Sequence, residues 1–180
     1  MGDNSFQQLG MYSGGYVAAK KDGKWGVIDM DTDWYIPAEY DEIIQDELGR
    51  CYAQNAVFAR QDSAVYLFVK GIKVGNAYED ARPFTDEGFA AVKENGKWGF
   101  IDSTGAEVIG SAFDDALSFG QHLAAVKIGE QWGYISISGR VVIEPVFFEV
   151  KSFSGGIAPV LTDRGWQFLA LLEYKKGPSL

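Results

Sequence analysis

The sequence is poor in the residues that most catalytic and metal chemistry needs. Cys51 is the one cysteine among 180 residues, so no internal disulfide framework can form. His122 is the one histidine. His/Cys metal sites are thereby excluded, and no motif supplies a Ser-His-Asp triad. Basic side chains number 16 against 25 acidic ones, for a formal net charge of −9. Nucleic-acid affinity rests on basic side chains facing phosphates, and docking on anionic lipid needs the same charge, so neither partner is expected. No apolar run approaches the length of a transmembrane helix, so no membrane insertion is expected within this chain. The opening MGDNSFQQLG has neither a basic n-region nor an apolar h-region and does not read as a signal peptide. A leader removed upstream would be compatible with it.

Aromatic residues and glycine are plentiful, which points to short strands and tight turns, and they recur in a frame. "DGKWGVIDMDT" (22–32), "NGKWGFIDSTG" (95–105) and "GEQWGYISISG" (129–139) repeat a Trp-Gly pair. Trp98, Trp132 and Trp166 are spaced by 34 residues, and Trp25 lies 73 before Trp98, two periods with a small insertion. Tyr16, Phe89, Leu123 and Ile157 stand nine residues before a Trp, and Tyr40, Phe113 and Phe147 stand 15 after one. Met11, Phe84, Phe119 and Phe153 lie 13 or 14 before. Self-similarity at one period marks a repeat protein. The gap from Asn55 to Phe84 reads as a decayed copy without the Trp-Gly pair, and Trp34 falls outside the register.

Each unit has a β pattern. Asn95-Gly96 between two apolar runs is a strong hairpin signal, because both turn residues need positive φ. A second turn at Thr104-Gly105 leads to a third strand. In that register Lys93 faces Trp98 and Val92 faces Gly99, with Trp98 and Phe100 on one face and Gly99 and Ile101 on the other. The Trp ring can lie along the Lys stem. The glycine removes a side chain where something approaches closely, and the next unit's aromatic is the expected neighbour. A unit cannot bury its Trp alone, and stacked units can.

These residues resemble the WG-repeat (KWG) family. "GKWGVID", "GKWGFID" and "EQWGYIS" carry the resemblance, with the aromatic-acid steps "EYDEI" and "AFDDA" and the stretch "FSGGIAPV". It covers about residues 10 to 170. The resemblance implies a mainly bacterial repeat scaffold, often exported or surface-associated, with no catalytic residues to carry over. An extracytoplasmic or cell-surface place in a bacterium is the corresponding expectation.

The other candidate motifs have plainer readings. Asp102-Ser103-Thr104-Gly105 departs from an aspartic-protease loop by one extra residue and reads as an Asx-type turn. Asp29, Asp31 and Asp33 begin like a calcium loop, but Trp34 and Tyr40 stand where glycine and glutamate are needed. The acid pairs Asp41-Glu42, Glu79-Asp80 and Asp114-Asp115 follow an aromatic each time. Adjacent strand residues point to opposite faces, so a pair cannot act together across a glycosidic bond. Their recurrence marks possible interaction loops on an acidic surface. His122 reads as a surface-loop side chain and Cys51 as a half-buried small one. "YSGGYV" and "FSGGIA" lack the residues of a phosphate loop.

The expected fold is therefore all-β, one domain over 1–180. It consists of about five tandem three-stranded antiparallel meander units of about 34 residues, in an open twisted array. The units run roughly 10–45, 46–82, 83–117, 118–151 and 152–180, the second degenerate and the last truncated. The alternative is a small propeller-like ring in which "SFQQLGMY" completes the last unit. The structural repeat residues are Trp25, Gly26, Trp98, Gly99, Trp132, Gly133 and Trp166. No catalytic residue, cofactor or metal is expected. The expected role is a non-enzymatic scaffold for an unknown protein partner. The alternative is a module binding a cell-surface glycan on exposed aromatics, and buried Trp25, Trp98 and Trp132 rings would favour the scaffold.

Overall fold

The computed structural model describes residues 5–51 and 55–171. Among them the chain is all-β, arranged as five successive antiparallel sheets. The first holds β1 (Gln8–Leu9), β2 (Val17–Lys21), β3 (Lys24–Ile28) and β4 (Trp34–Tyr40). The second holds β5 (Glu42–Ile43), β6 (Ala56–Gln61), β7 (Ala64–Val69) and β8 (Ile72–Tyr78). The third holds β9 (Asp80–Ala81), β10 (Phe89–Glu94), β11 (Lys97–Asp102) and β12 (Glu107–Phe113). The fourth holds β13 (Asp115–Ala116), β14 (Leu123–Ile128), β15 (Gln131–Ser136) and β16 (Val141–Phe147). The fifth holds β17 (Glu149–Val150), β18 (Ile157–Thr162) and β19 (Gly165–Ala170).

The three-stranded meander is present in the first four sheets, and a two-residue strand is added at the inner edge of all five. That short strand is the aromatic-acid step: after Phe113 the chain turns through Asp114, and Asp115-Ala116 pairs with Lys127 and Val126 of the following sheet. The step thus ends one sheet and begins the next. Ser5–Tyr12, assigned to the last unit in the ring alternative, belongs instead to the first sheet. Gln8 and Leu9 pair with Lys20 and Ala19 there.

The hairpin register is as expected, with Lys93 opposite Trp98 and Val92 opposite Gly99. Asn95 and Gly96 both have positive φ, at 52° and 74°, the left-handed pair that lets a two-residue turn follow the strand twist. The faces also alternate as expected. Trp98 and Phe100 pack with Phe119, Ala124 and Ile135 of the fourth sheet. Ile101, Ala90 and Val92 pack with Phe58, Val65 and Leu67 of the second. Both faces of an internal sheet are therefore core, and alanines at both faces of the second strands (Ala90, Ala91, Ala124, Ala125) let the sheets approach. The core is four clusters, one per junction between neighbouring sheets. Among the described residues no such cluster joins the first sheet to the last, so the array is open.

Candidate functional site

The Trp-Gly pair sits where the pairing of the third and fourth strands of a sheet is interrupted by a bulge. Trp98 opposes Phe113 and Phe100 opposes Ile109, so four residue steps on β12 match two on β11. The same irregularity follows Trp25 and Trp132. A Cβ on Gly99 would lie 2.6 Å from Ile109 O, 2.8 Å from Ser111 N and 2.9 Å from Gly110 C. Gly26 and Gly133 are crowded in the same way by Ile36 and Ala38, and by Ile143 and Pro145. The close approach therefore comes from the backbone of the same sheet, not from the next unit's aromatic as expected. A bulge brings the partner strand inward, and only glycine leaves room for it.

Trp98 is buried, while Trp25 and Trp132 are half-buried with their rings in the junction clusters. Lys20 Nζ stands 5.8 Å from the centre of the Trp25 ring, and Arg82 lies 4.9 Å over Trp98. Trp166, in the last sheet, is exposed.

The degenerate second sheet keeps the geometry by exchanging sizes. Val65 and Tyr66 replace Trp and Gly, and Phe58 stands where Ala91 stands in the third sheet. Phe58 stacks on Phe84 with centroids 5.0 Å apart, filling space that a Trp at 65 would take. The bulge survives between Val65–Tyr78 and Leu67–Val74, and there Gly75 takes φ 67° on the opposite strand. Tyr66, half-buried, carries a side chain where the first, third and fourth sheets have glycine.

The acid pairs are fastened within the chain. Asp41 accepts from Lys24 Nζ at 2.5 Å and from the Asp62 N–H at 2.7 Å, in the hairpin turn of the next sheet. Glu79 accepts from the Gly96 N–H at 3.1 Å. Asp114 accepts from Lys97 and from the Gly129 N–H. The first acid of each pair thus staples its sheet to the turn of the next. Lys24, and then the Asp62 amide, hold Asp41 below the usual carboxylate range, and Lys97 and the Gly129 amide do the same for Asp114. The second acids meet arginines. Arg60 bonds Glu42 at 3.0 Å and Asp80 at 2.7 Å, and Arg82 bonds Asp115 at 3.0 Å.

A second row of staples runs through the loops before each second strand. The Glu87 carboxylate accepts the His122 N–H at 3.0 Å, and Gln121 Oε1 accepts the Gly156 N–H at 2.7 Å. His122 is exposed in that loop, its Nδ1 3.5 Å from Glu87. Cys51 is buried rather than half-buried, and desolvation pushes its thiol up to about 11. Asp29 and Asp102 cap their own turns, Asp29 Oδ1 accepting from the Asp31 and Asp33 amides and Asp102 Oδ1 from those of Thr104 and Ala106. Both stretches are Asx turns. Among the described residues no cluster of three or more His, Cys, Asp or Glu side chains is placed to hold a metal ion.

Two features escaped the sequence reading. Phe6-Gln7-Gln8-Leu9 is a neutral version of the aromatic-acid step. Gln7 Oε1 accepts the Gly23 N–H at 2.8 Å, the bond that an acid makes in the next three sheets. The match of "FQQL" to "YDEI" in spacing could have shown it, but glutamine hid it from a search for acids. Trp34 packs its ring over Gly26, with Phe6 edge-on to it at 5.8 Å, covering part of the face that no preceding sheet covers.

On the outer strands one position faces solvent in every four-stranded sheet. Trp34, Ile72, Glu107 and Val141 are the first residues of β4, β8, β12 and β16, and all are exposed; Trp34, Glu107 and Val141 oppose Ile28, Ile101 and Ile135, whereas Ile72 opposes Val69, one step further along.

Antiparallel sheets of three or four strands packed face to face in sequence, each handing its last step to the next, define an open array of β-repeat units. The model of the WG containing repeat matches residues 5–25, 77–98, 98–132 and 132–166, more than half of the chain, and the chain belongs to that family. The unmatched internal residues 26–76 hold β4 of the first sheet and nearly all of the second, where the pair is lost. No curated protein matches by sequence. Among solved structures, Hsv2 of Kluyveromyces lactis superposes with a TM-score of 0.55 at 12% identity, over 96% of this chain and 65% of that one. A eukaryotic initiation factor superposes with a TM-score of 0.58 at 15% identity, over 95% of this chain and 54% of that one. These likenesses show the fold, and this chain spans less than two thirds of the length of either neighbour.

Proposed function

We propose that the chain is a non-enzymatic scaffold that binds a protein partner along its outer strands. The observation that carries this reading is the division of labour within each sheet. The Trp-Gly pair packs at the junctions and the acid pairs hold neighbouring turns and arginines, whereas the outer-strand positions Ile72, Glu107 and Val141 face solvent with varied side chains. A repeat array that presents one position per unit at regular spacing suits an extended macromolecular surface. The carboxylates of Asp41 and Asp114, held ionised by lysine and amide donors, are poor general acids near neutral pH, which supports the non-enzymatic part. The orientation of Trp25, Trp98 and Trp132 into the junctions gives the glycan-platform reading less support. A bacterial host and an exported or surface place are the expectations that the family resemblance carries.

The test is capture and identification of the partner from the source organism, followed by binding measurements on surface variants. Ile72→Ser with Val141→Ser should weaken binding at least tenfold while leaving Tm within a degree or two, about the effect of surface substitutions. Binding indifferent to both, or a glycan ligand lost on removing aromatic side chains, would overturn the proposal.

A further inference from the structure

We propose that copies of this chain associate head to tail, the free face of the fifth sheet of one copy docking on the free face of the first sheet of another. This inference is independent of the protein partner above.

The internal junctions repeat one interface. Its upstream side is the residue two after each Trp position, Val27, Leu67, Phe100 or Tyr134, at most 1% exposed in every case. Its downstream side, in the last two junctions, is the aromatic 13 residues before the next Trp. Phe100 meets Phe119 with centroids 4.8 Å apart, and Tyr134 meets Phe153 at 5.0 Å. Below that contact lies the short strand, whose Ala116 or Val150 is buried.

Both halves of this interface recur at the two ends, where among the described residues no further sheet covers them. In the fifth sheet the upstream half is Trp166 and Phe168. Phe168 is 74% exposed and Trp166 51%, with Ile157 beside them opposite Ala170. The opposite face of that sheet, Ala158, Val160 and Leu169, packs normally on the fourth. In the first sheet the downstream half is Leu9 on the short strand and Tyr12, 13 residues before Trp25, with Met11 adjacent. All three are more than half exposed, although the matching residues of the other sheets, Ile43, Ala81, Phe119 and Phe153 among them, are buried. Trp34 extends the same apolar face.

The chain therefore carries both sides of an interface that it already forms internally, on surfaces that its own open array does not bring together. The contact expected between copies is Phe168 on Tyr12 of the other copy, in the manner of Tyr134 on Phe153. Such a contact is heterologous: each association leaves one head and one tail free, so growth continues past two copies.

Sedimentation equilibrium or light scattering on the whole chain over a concentration series tests this. The parent should show a mass that rises with concentration beyond that of a dimer. Phe168→Glu blocks the tail and Tyr12→Glu the head, and each alone should remain monomeric. Mixed, they should give one species of twice the monomer mass and nothing larger, because only one competent head and one competent tail meet. Both side chains are largely exposed, so unchanged melting of each variant serves as the folding control. A parent that stays monomeric across the series would overturn the proposal. So would Tyr12→Glu associating like the parent, which signifies tail-to-tail pairing, or a mixture that stays monomeric.

Discussion

Gly99 shows how much one missing methyl group decides. The atoms that would lie 2.6–2.9 Å from a Cβ at this position are backbone atoms of β12, which cannot rotate away as a side chain would. Gly99→Val should therefore lower stability by about 1–3 kcal/mol or more, as overpacking does, and Gly99→Ala should already be harmful. Equilibrium denaturation in urea measures both, and a Gly99→Val variant with the parent's midpoint would refute the bulge argument. Trp98→Ala empties a junction and should cost ~3–5 kcal/mol, whereas Trp34→Ala, at a half-covered end, should cost clearly less. Cys51 supplies a residue-scale probe of packing. With its thiol pushed up to about 11 by burial, it should react with an aromatic disulfide reagent at pH 8 only as fast as the chain unfolds. Stoichiometric labelling of the native chain within seconds would show that the first junction is open.

At the scale of the element, the aromatic-acid step is both the end of one sheet and the start of the next. Its period was legible in the sequence, as were the hairpins, because both depend on local spacing and turn chemistry. Its role was not. Whether Asp114 faces solvent or reaches the Gly129 amide depends on where the next sheet lies, and no local pattern encodes that. The short strand was missed for a similar reason: two residues such as Asp115-Ala116 carry no periodicity. The staples have a pH signature. The folded carboxyls of Asp41 and Asp114 lie below their usual range, so their contribution is present above the unfolded value and is lost as pH falls through the folded one. Asp114→Asn should therefore lower Tm at neutral pH, and the difference from the parent should shrink toward zero as pH drops below the carboxylate range. A constant difference across that range would mean that Asp114 acts by packing and not by charge.

For the whole molecule, the class and the repeat were legible in the sequence, but the packing of sheet on sheet needed the structure, because it depends on exchanges of volume such as that between Phe58 and Val65. An array whose sheets touch only their neighbours has stability that is local, and each sheet is protected by the junctions on its two sides. The third sheet has full clusters on both faces, while the fifth has one on a single face. The first sheet is intermediate, its free face partly covered by Phe6 and Trp34. Hydrogen exchange should follow that order. At concentrations low enough for the chain to be monomeric, amides of β19 should exchange roughly tenfold or more faster than those of β11, with β3 between them. Raising the concentration should slow β19 and the short strand β1 with its partner β2 if heads and tails meet, and should leave β11 unchanged. Uniform protection along the chain would instead show a single cooperative block, and the description of the fold as a sum of junctions would fail.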